Sequence, residues 1–448
     1  VGVQRIFPPV AGCCRARRTA DPAQVAALTF PIAFMPNLPV LDPAYTAHVG
    51  AAPFIGLSAL LRRAFGGGDV TELGPALIER ATQQGDLYAL LELSNVLQLH
   101  FQREAGLAVQ AEALKAQRLY RIAQAADARA LRVLVLKSSG DLMSNTPFEC
   151  LFDDYALSVD VLYVAPGVPW PAVLPEHDVL LVAVGESDAN QVLLAELDAL
   201  LAHWPRPVLN RPALIARLAR DIACATLAPA AGVMMPAVAR VARAALEQLA
   251  AGTVAPAALA GSDFPLIVRP VGSHAGSGLA RIERAAELPA YLQEHGEEAF
   301  FIAPFIDYAS PDGLFRKFRV VLIDGQAHVC HMGISQHWMV HYPYEEMIAH
   351  PERRAEEQAL MAHFAQDFAQ RHAGAFAALQ QGIGLDYWGL DCAETRDGRL
   401  LIFEVASAMV IHAMDRTDLF PYKSTHMHTV FAAFHRLLER TARRGLAA

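Results

Sequence analysis

Two acidic residues in GLDYWGLDCAETRDGRLLIFEVASAMVIH (384–412) carry the clearest chemical meaning in the chain. Asp397-Gly398 lies between two β-rich runs, the strongest short-range hairpin signal. Counting outward from a two-residue turn, Arg396 faces Arg399 and Asp391 faces Glu404. Directly opposed residues share a face, with Cβ atoms roughly 4.5–5.5 Å apart. Leu390, Leu401, Ile402 and Phe403 flank the pair rather than arginines, so two like charges stand together and call for a cation. Mg2+, with phosphate oxygens completing its shell, matches such hard oxygen ligands. The other reading is a one-residue slip in register, which sends one carboxylate to solvent.

A second stretch, LIVRPVGSHAGSGLARI (266–282), places Arg269 at the end of a short strand. Gly272, Gly276 and Gly278 then bracket Ser273, His274 and Ser277. A Walker loop needs Gly-Lys-Ser/Thr opening a helix, and a dinucleotide loop needs a helix after its third glycine; neither is present. Glycines let backbone N–H groups approach phosphate oxygens, and a hairpin-like loop folds over a ligand as a lid. The bland alternative is an ordinary Gly/Ser turn. Between the two stretches, LFRKFRVVLIDGQAHVCHMGIS (314–335) forms a second Asp-Gly hairpin, and alternation puts Lys317 and Arg319 on one face. Both are suited to phosphate oxygens or a developing acyl phosphate, a solvated edge being the alternative for Lys317.

These residues need elements to position them. The first 128 residues are dominated by helical spacing, with Leu87, Leu90, Leu91, Leu93, Val96 and Leu97 on a buried stripe. Short helices around QREAG resemble one or two tetratricopeptide-like repeats, read either as a bundle packed on the rest of the protein or as a groove for a protein partner. From Ala130 the texture changes. LRVLVLKSS, VDVLYVAPG and HDVLLVAVGES alternate with helical spacers, which implies a parallel sheet and an α/β class. Loops following such strands expose the ligand crevice; Asn145, Glu149, Glu186 and Asn190 stand there, with helix capping as the plainer role. The expected division is a helical region 1–128, an α/β domain 129–212 and a final domain 213–448.

The chain has 448 residues, 54% hydrophobic and 19% charged, enough for two or three well-buried domains. A net charge of -9 gives no bulk attraction to nucleic acid or anionic lipid, and neither is expected as a partner. Cys13, Cys14, Cys150, Cys224, Cys330 and Cys392 lack CxxC spacing and read as buried thiols of a cytoplasmic protein. No apolar run of about 18 residues suggests a membrane span.

The order of these segments resembles the ATP-grasp superfamily, the fold of D-alanine:D-alanine ligase, glutathione synthetase and the ribosomal-protein glutamate ligases. The resemblance covers about 130–440: an α/β domain, the strand ending at Arg269, the loop Gly272 to Gly278, the strand FFIAPFI, the strand KFRVVLIDG and the hairpin of Asp391 and Glu404. It implies an α+β ATP-grasp fold behind an all-α N-terminal region. ATP would lie between two subdomains, with adenine near Phe305 and Ile306, phosphates at Arg269 and the glycine loop, and Mg2+ at Asp391 and Glu404. Lys317 and Arg319 would serve the reaction, in which a small-molecule or peptide carboxylate becomes an acyl phosphate that an amine attacks. A homo-oligomer is expected. Phosphoryl transfer needs positioning and charge neutralisation more than a covalent protein nucleophile.

Three positions depart from the family pattern. Arg269 replaces a lysine, and binds phosphate as a fork rather than a point charge. A second lysine is missing, Arg217 and Arg220 being the nearest cations. Ala406 stands where a third metal ligand, usually asparagine, is expected; either Ser407, Asp386 or water compensates, or metal binding weakens and catalysis is lost. His328, His331, His337 and His341, with Trp338 and Tyr342, are read as lining an acceptor pocket rather than a zinc site, and His412, Lys423 and His426 as possible companions. A nucleotide-binding scaffold with a degenerate core and a kinase that stops at phosphorylation remain open beside the ligase.

Overall fold

The computed structural model describes residues 54–152, 155–273, 276–340 and 344–447. Two compact units share the chain. One gathers Glu186–Gln191 with Ala213–Ser407, and the other gathers 54–185, 192–212 and 408–447. The sequence-based division keeps 213–448 together, whereas by contacts everything after Ser407 belongs with the earlier part of the chain.

The second of these units opens with α1 (Leu57–Phe65), α2 (Gly74–Gln84), α3 (Leu87–Leu99) and α4 (Arg103–Ala116). Asp86 caps α3, accepting from the backbone N–H groups of Tyr88 and Ala89. Every residue of α3 except Asn95 is buried, so it is a core helix rather than one wall of an open groove. α4 crosses α3 closely at Gly106, where an added Cβ would sit 2.9 Å from the Ser94 carbonyl oxygen. Beyond the helices, β1 (Leu119–Ala123), β2 (Arg132–Ser138), β3 (Ser158–Val164), β4 (Val179–Val182) and β5 (Val208–Leu209) form one sheet in the order β1-β3-β2-β4-β5. β1 is antiparallel to β3 and the remaining pairs are parallel. Near-continuous apolar runs such as VLLV fit that burial on both faces. The chain is thus mixed α/β with helices ahead of its first sheet.

In the other unit, α5 (Arg220–Leu227) and β6 (Val233–Met234) precede β7 (Ala239–Ala242) and α6 (Arg243–Ala250). β8 (Leu266–Pro270), β9 (Ala280–Ile282), α7 (Leu288–Glu294) and β10 (Ala299–Pro304) follow. Strands β7-β10-β8-β9 make an antiparallel sheet, whose core joins Leu246, Leu249, Val268, Leu288, Phe300 and Ile302. A second sheet, β12-β11-β13-β14-β6, is built from β11 (Phe315–Ile323), β12 (Gln326–Ser335), β13 (Tyr387–Glu394) and β14 (Leu400–Ala406). Its pairs are antiparallel except β14 with β6.

The two Asp-Gly dipeptides close different turns. Asp324 and Gly325 both take positive φ (49° and 75°) and join Ile323 to Gln326, a two-residue hairpin of the primed type. At Asp397-Gly398 only the glycine is left-handed, at 80°, and Thr395 hydrogen-bonds Arg399 across a three-residue loop. That loop moves the register by one residue. A bulge at Phe403, between the Cys392–Ile402 and Asp391–Glu404 pairs, moves it back. The pairing expected from a simple turn is therefore reached through two departures that cancel.

Cys150, Cys224, Cys330 and Cys392 are buried thiols, none joined in a disulfide; Cys13 and Cys14 lie outside the described residues. No helix among the described residues is long and apolar enough to cross a membrane.

Candidate active site

The second sheet of the Ala213–Ser407 unit brings the chemistry together because directly opposed residues in antiparallel strands share a face. Arg319 of β11 pairs with Asp391 of β13, and Asp391 pairs with Glu404 of β14. Lys317, two residues before Arg319, projects to the same side. Asp391 is only 2% exposed. Arg319 donates to it as a fork, Nε to Oδ1 at 2.9 Å and Nη2 to Oδ2 at 3.1 Å, and Lys317 Nζ reaches Oδ2 at 2.7 Å. Burial opposes ionisation of this carboxyl, but Arg319 and then Lys317 hold it well below the usual carboxylate range. Burial likewise opposes the charge on Arg319, and Asp391 raises its pKa despite that.

Glu404 has its own cation. Arg220, the first residue of α5, places Nη2 2.7 Å from Glu404 Oε1 and donates through Nη1 to the Phe403 carbonyl at 3.3 Å. Burial pushes the Glu404 carboxyl up, yet Arg220 and Arg269 bring it below its ordinary value. Arg269, buried at the end of β8, donates through Nε to Ser273 Oγ at 3.1 Å and through Nη2 to the Ser273 carbonyl oxygen. Ser273 Oγ in turn donates to the Pro270 carbonyl at 2.8 Å. Burial, and next the like charge of Arg220, bring the Arg269 guanidinium down to about 10 against the pull of Glu404.

Arg269 thereby anchors the glycine loop to its strand. Gly272, Gly276 and Gly278 all have φ between 65° and 75°, and Gly272 and Ser277 are exposed. His274 lies outside the described residues. At Gly278 a Cβ would stand 2.6 Å from Cδ and 2.8 Å from Cγ of Pro270, while Tyr291 Oη donates to the Gly278 carbonyl at 2.8 Å. Gly278→Ala should therefore cost about 1–3 kcal/mol, read by urea denaturation, while Gly272→Ala, with no atom within 4 Å, should meet only the backbone penalty of its φ. Equal costs at the two positions would reject the close approach at Pro270.

Other predicted residues are placed less simply. Phe305, near which adenine is expected, has its ring edge-on to Trp338 at 5.7 Å, and the Arg281 guanidinium lies over it at 3.9 Å. Ile306 packs against the core cluster of Tyr308, Val340, Ala393 and Leu401. On β12 a bulge at Cys330, between Val329 and His331, pairs His331 with Arg319 and His328 with Val321, putting both histidines on the Arg319 face although they are three residues apart. His337 follows the end of β12, and His341 and Tyr342 lie outside the described residues. Asn145 and Glu149 bind their own unit: Asn145 Oδ1 accepts from Ser138 N at 2.8 Å, and Glu149 pairs with Lys137 at 3.2 Å. Asn190 is buried, its N–H bonded to Ser187. Glu186 accepts from Gln191 at 3.2 Å, and burial raises its pKa within reach of Arg220. His412, Lys423 and His426 belong to the other unit, where Lys423 is buried 3.7 Å from Asp415.

Sequence reasoning missed Arg220 as a site residue and Arg281 altogether. Arg220 opens a helix 184 residues before Glu404 in the chain, and no local pattern links them.

The carboxylate pair, flanked in the sequence by apolar residues, has cations beside it in the fold: Lys317 and Arg319 at Asp391, and Arg220 at Glu404. Mg2+ needs carboxylate oxygens turned toward it. Here both Asp391 oxygens carry donors, one Glu404 oxygen carries Arg220, and Ala406 offers no side-chain donor. No group of three or more His, Cys, Asp or Glu among the described residues could hold a metal ion. The residues as arranged do not fit a divalent cation; they fit an anion. A separate cavity of about 200 Å³ in the other unit, lined by Val168, Trp170, Leu193, Leu197 and Leu200, holds none of these groups.

No protein family model matches this chain, and no curated protein matches it in sequence. Among solved structures, it overlaps VanG D-Ala:D-Ser ligase from Enterococcus faecalis at 14% identity and a TM-score of 0.42, over 70% of this chain and 100% of that one. D-alanine--D-alanine ligase from Bacillus anthracis complexed with ATP overlaps at 13% identity and 0.41, over 70% and 98%. The RimK domain protein ATP-grasp from Sphaerobacter thermophilus DSM 20745 overlaps at 17% identity and 0.38, over 69% and 99%. Overlaps at this level assign neither an activity nor a substrate to the chain.

Proposed function

We propose that the Ala213–Ser407 unit binds ATP and uses it to activate a carboxylate for attack by an amine, in modification of a peptide or amino-acid-like metabolite. One observation carries the reading: four cations, Lys317, Arg319, Arg220 and Arg269, converge on the buried Asp391 and the half-buried Glu404, beside a glycine loop that Arg269 anchors. The segment order shared with the ATP-grasp superfamily agrees with it. In the reaction, a carboxylate oxygen of the substrate attacks the γ-phosphorus and the bond to the ADP oxygen breaks, giving an acyl phosphate. The amine nitrogen then attacks the acyl carbon, phosphate departs with its oxygen, and the amine loses a proton. Lys317 and Arg319, held in place by Asp391, are suited to stabilise charge on the phosphoryl oxygens as it develops. Arg269 and Arg220 are suited to the rest of the polyphosphate, through charge-assisted hydrogen bonds.

A second reading, nucleotide binding without turnover, is favoured by Ala406 and by the engaged oxygens of Asp391. Incubation of the protein with ATP, Mg2+ and mixed pools of amino acids, dipeptides and small carboxylic acids separates the two. ADP and phosphate released in equal amounts, only with a particular acceptor pool, is the result expected of a ligase. ATP bound but never cleaved with any pool would leave only the second reading.

A further inference from the structure

We infer that the site takes the polyphosphate of its nucleotide through the chain's own cations, with no divalent metal required for binding. The inference rests on the nucleotide reading above and concerns what neutralises the phosphates. The cations Arg220, Arg269 and Lys317 act on Glu404, with Asp391 as the like charge beside it. Arg319 and Lys317 act on Asp391. Four positive side chains thus face the paired carboxylates Asp391 and Glu404, a surplus of two charges among these six groups. Glu186 also lies within electrostatic reach of Arg220, with Asp221 as a like charge beside it, and burial pushes the Glu186 carboxyl up.

The donor geometry points the same way. A metal at this hairpin would have to displace Arg319 and Lys317 from Asp391, breaking a fork at 2.9 and 3.1 Å and a contact at 2.7 Å. Displacing the donors would take from two partly buried cations their nearest counter-charge and leave Glu404, which already holds Arg220, to serve them, a cost that the phosphate would have to offset. An anion needs no such rearrangement. Arg269 is buried, next to a like charge, and bonded to a neutral serine rather than to a carboxylate. A phosphate oxygen seated against it relieves both the burial and the repulsion. Glu404 then acts as a placeholder that holds Arg220 until the anion arrives.

The test is calorimetric titration of the whole chain with ATP and, separately, with inorganic triphosphate, each in excess EDTA and in saturating Mg2+. The expected result is binding in EDTA as tight as, or tighter than, binding in Mg2+, because the ion lowers the charge of the ligand. Glu404→Gln removes the competing carboxylate and should tighten triphosphate binding in EDTA about tenfold. Binding only in the presence of Mg2+, or abolished by Glu404→Gln in a folded protein, overturns the inference and leaves the ATP reading standing. No binding of either ligand in either buffer removes the ATP reading and the inference with it. The EDTA and Mg2+ arms on the unaltered chain decide the matter should the variant fail to fold.

Discussion

Asp391→Asn should be among the most damaging single substitutions in the Ala213–Ser407 unit, costing about 3–5 kcal/mol of stability in urea denaturation. The carboxylate is 2% exposed and is the shared counter-charge of Arg319 and Lys317. Removing it takes away the nearest counter-charge of both cations on a largely buried sheet face and leaves Glu404, already engaged with Arg220, to offset their desolvation. The loss comes from the orphaned partners and is larger than the net worth of the ion pairs, so replacing all three groups should behave differently. Asp391→Leu combined with Lys317→Met and Arg319→Met should recover much of the stability. A triple variant as unstable as Asp391→Asn would show that the ion pairs themselves, rather than unpaired charge, govern this face.

The same carboxyl sets a pH dependence. Its folded-state pKa is depressed, so its contribution to stability is fully present above the ordinary carboxylate pKa and is lost as pH falls through the folded value. Stability of the wild type should fall on acidification through and below the usual carboxylate range, and the Asp391→Asn curve should be flatter there. Parallel curves would remove Asp391 from the acid limb.

Arg269→Ala should weaken ATP binding about ten- to a hundredfold in calorimetric titration, the range expected for one lost charge-assisted hydrogen bond of about 1.5–3 kcal/mol. Two effects add here. The guanidinium is one of the three cations acting on Glu404, and it ties Ser273 to the strand end. Arg269→Lys separates them: an ammonium keeps the charge but loses the fork that holds both Ser273 atoms. Affinity restored by lysine would mean that charge carries the effect. Affinity left low would mean that anchoring of the loop does. Unchanged affinity in Arg269→Ala would remove the residue from the site.

The hairpins, the period-two face of Lys317 and Arg319, and the facing of Asp391 with Glu404 were legible because they depend on local rules, alternation and turn chemistry. Even so, the facing of the carboxylates was reached by a route that counting does not reveal. Loop length at Asp397-Gly398 and the bulge at Phe403 each move the register, and only the paired strands show that they cancel. His328 and His331 show the opposite case, where a spacing of three suggests opposite faces and a bulge brings them to one.

By itself, the sequence determined the α/β class, the helices ahead of the first sheet, and the residue types gathered along β8, β11, β13 and β14. Such features follow from hydrophobic period and from backbone preferences of a few neighbouring residues. Only the tertiary structure decided what those residues meet. The partner of Glu404 is Arg220, far away in the chain, and the partners of Asp391 are the two cations predicted to face a phosphate. Charge balance at a buried site is a sum over every group within a few ångströms, and in a folded chain those groups come from distant segments. That sum set three cations, Lys317, Arg319 and Arg220, on a carboxylate pair that the local sequence shows flanked by apolar residues.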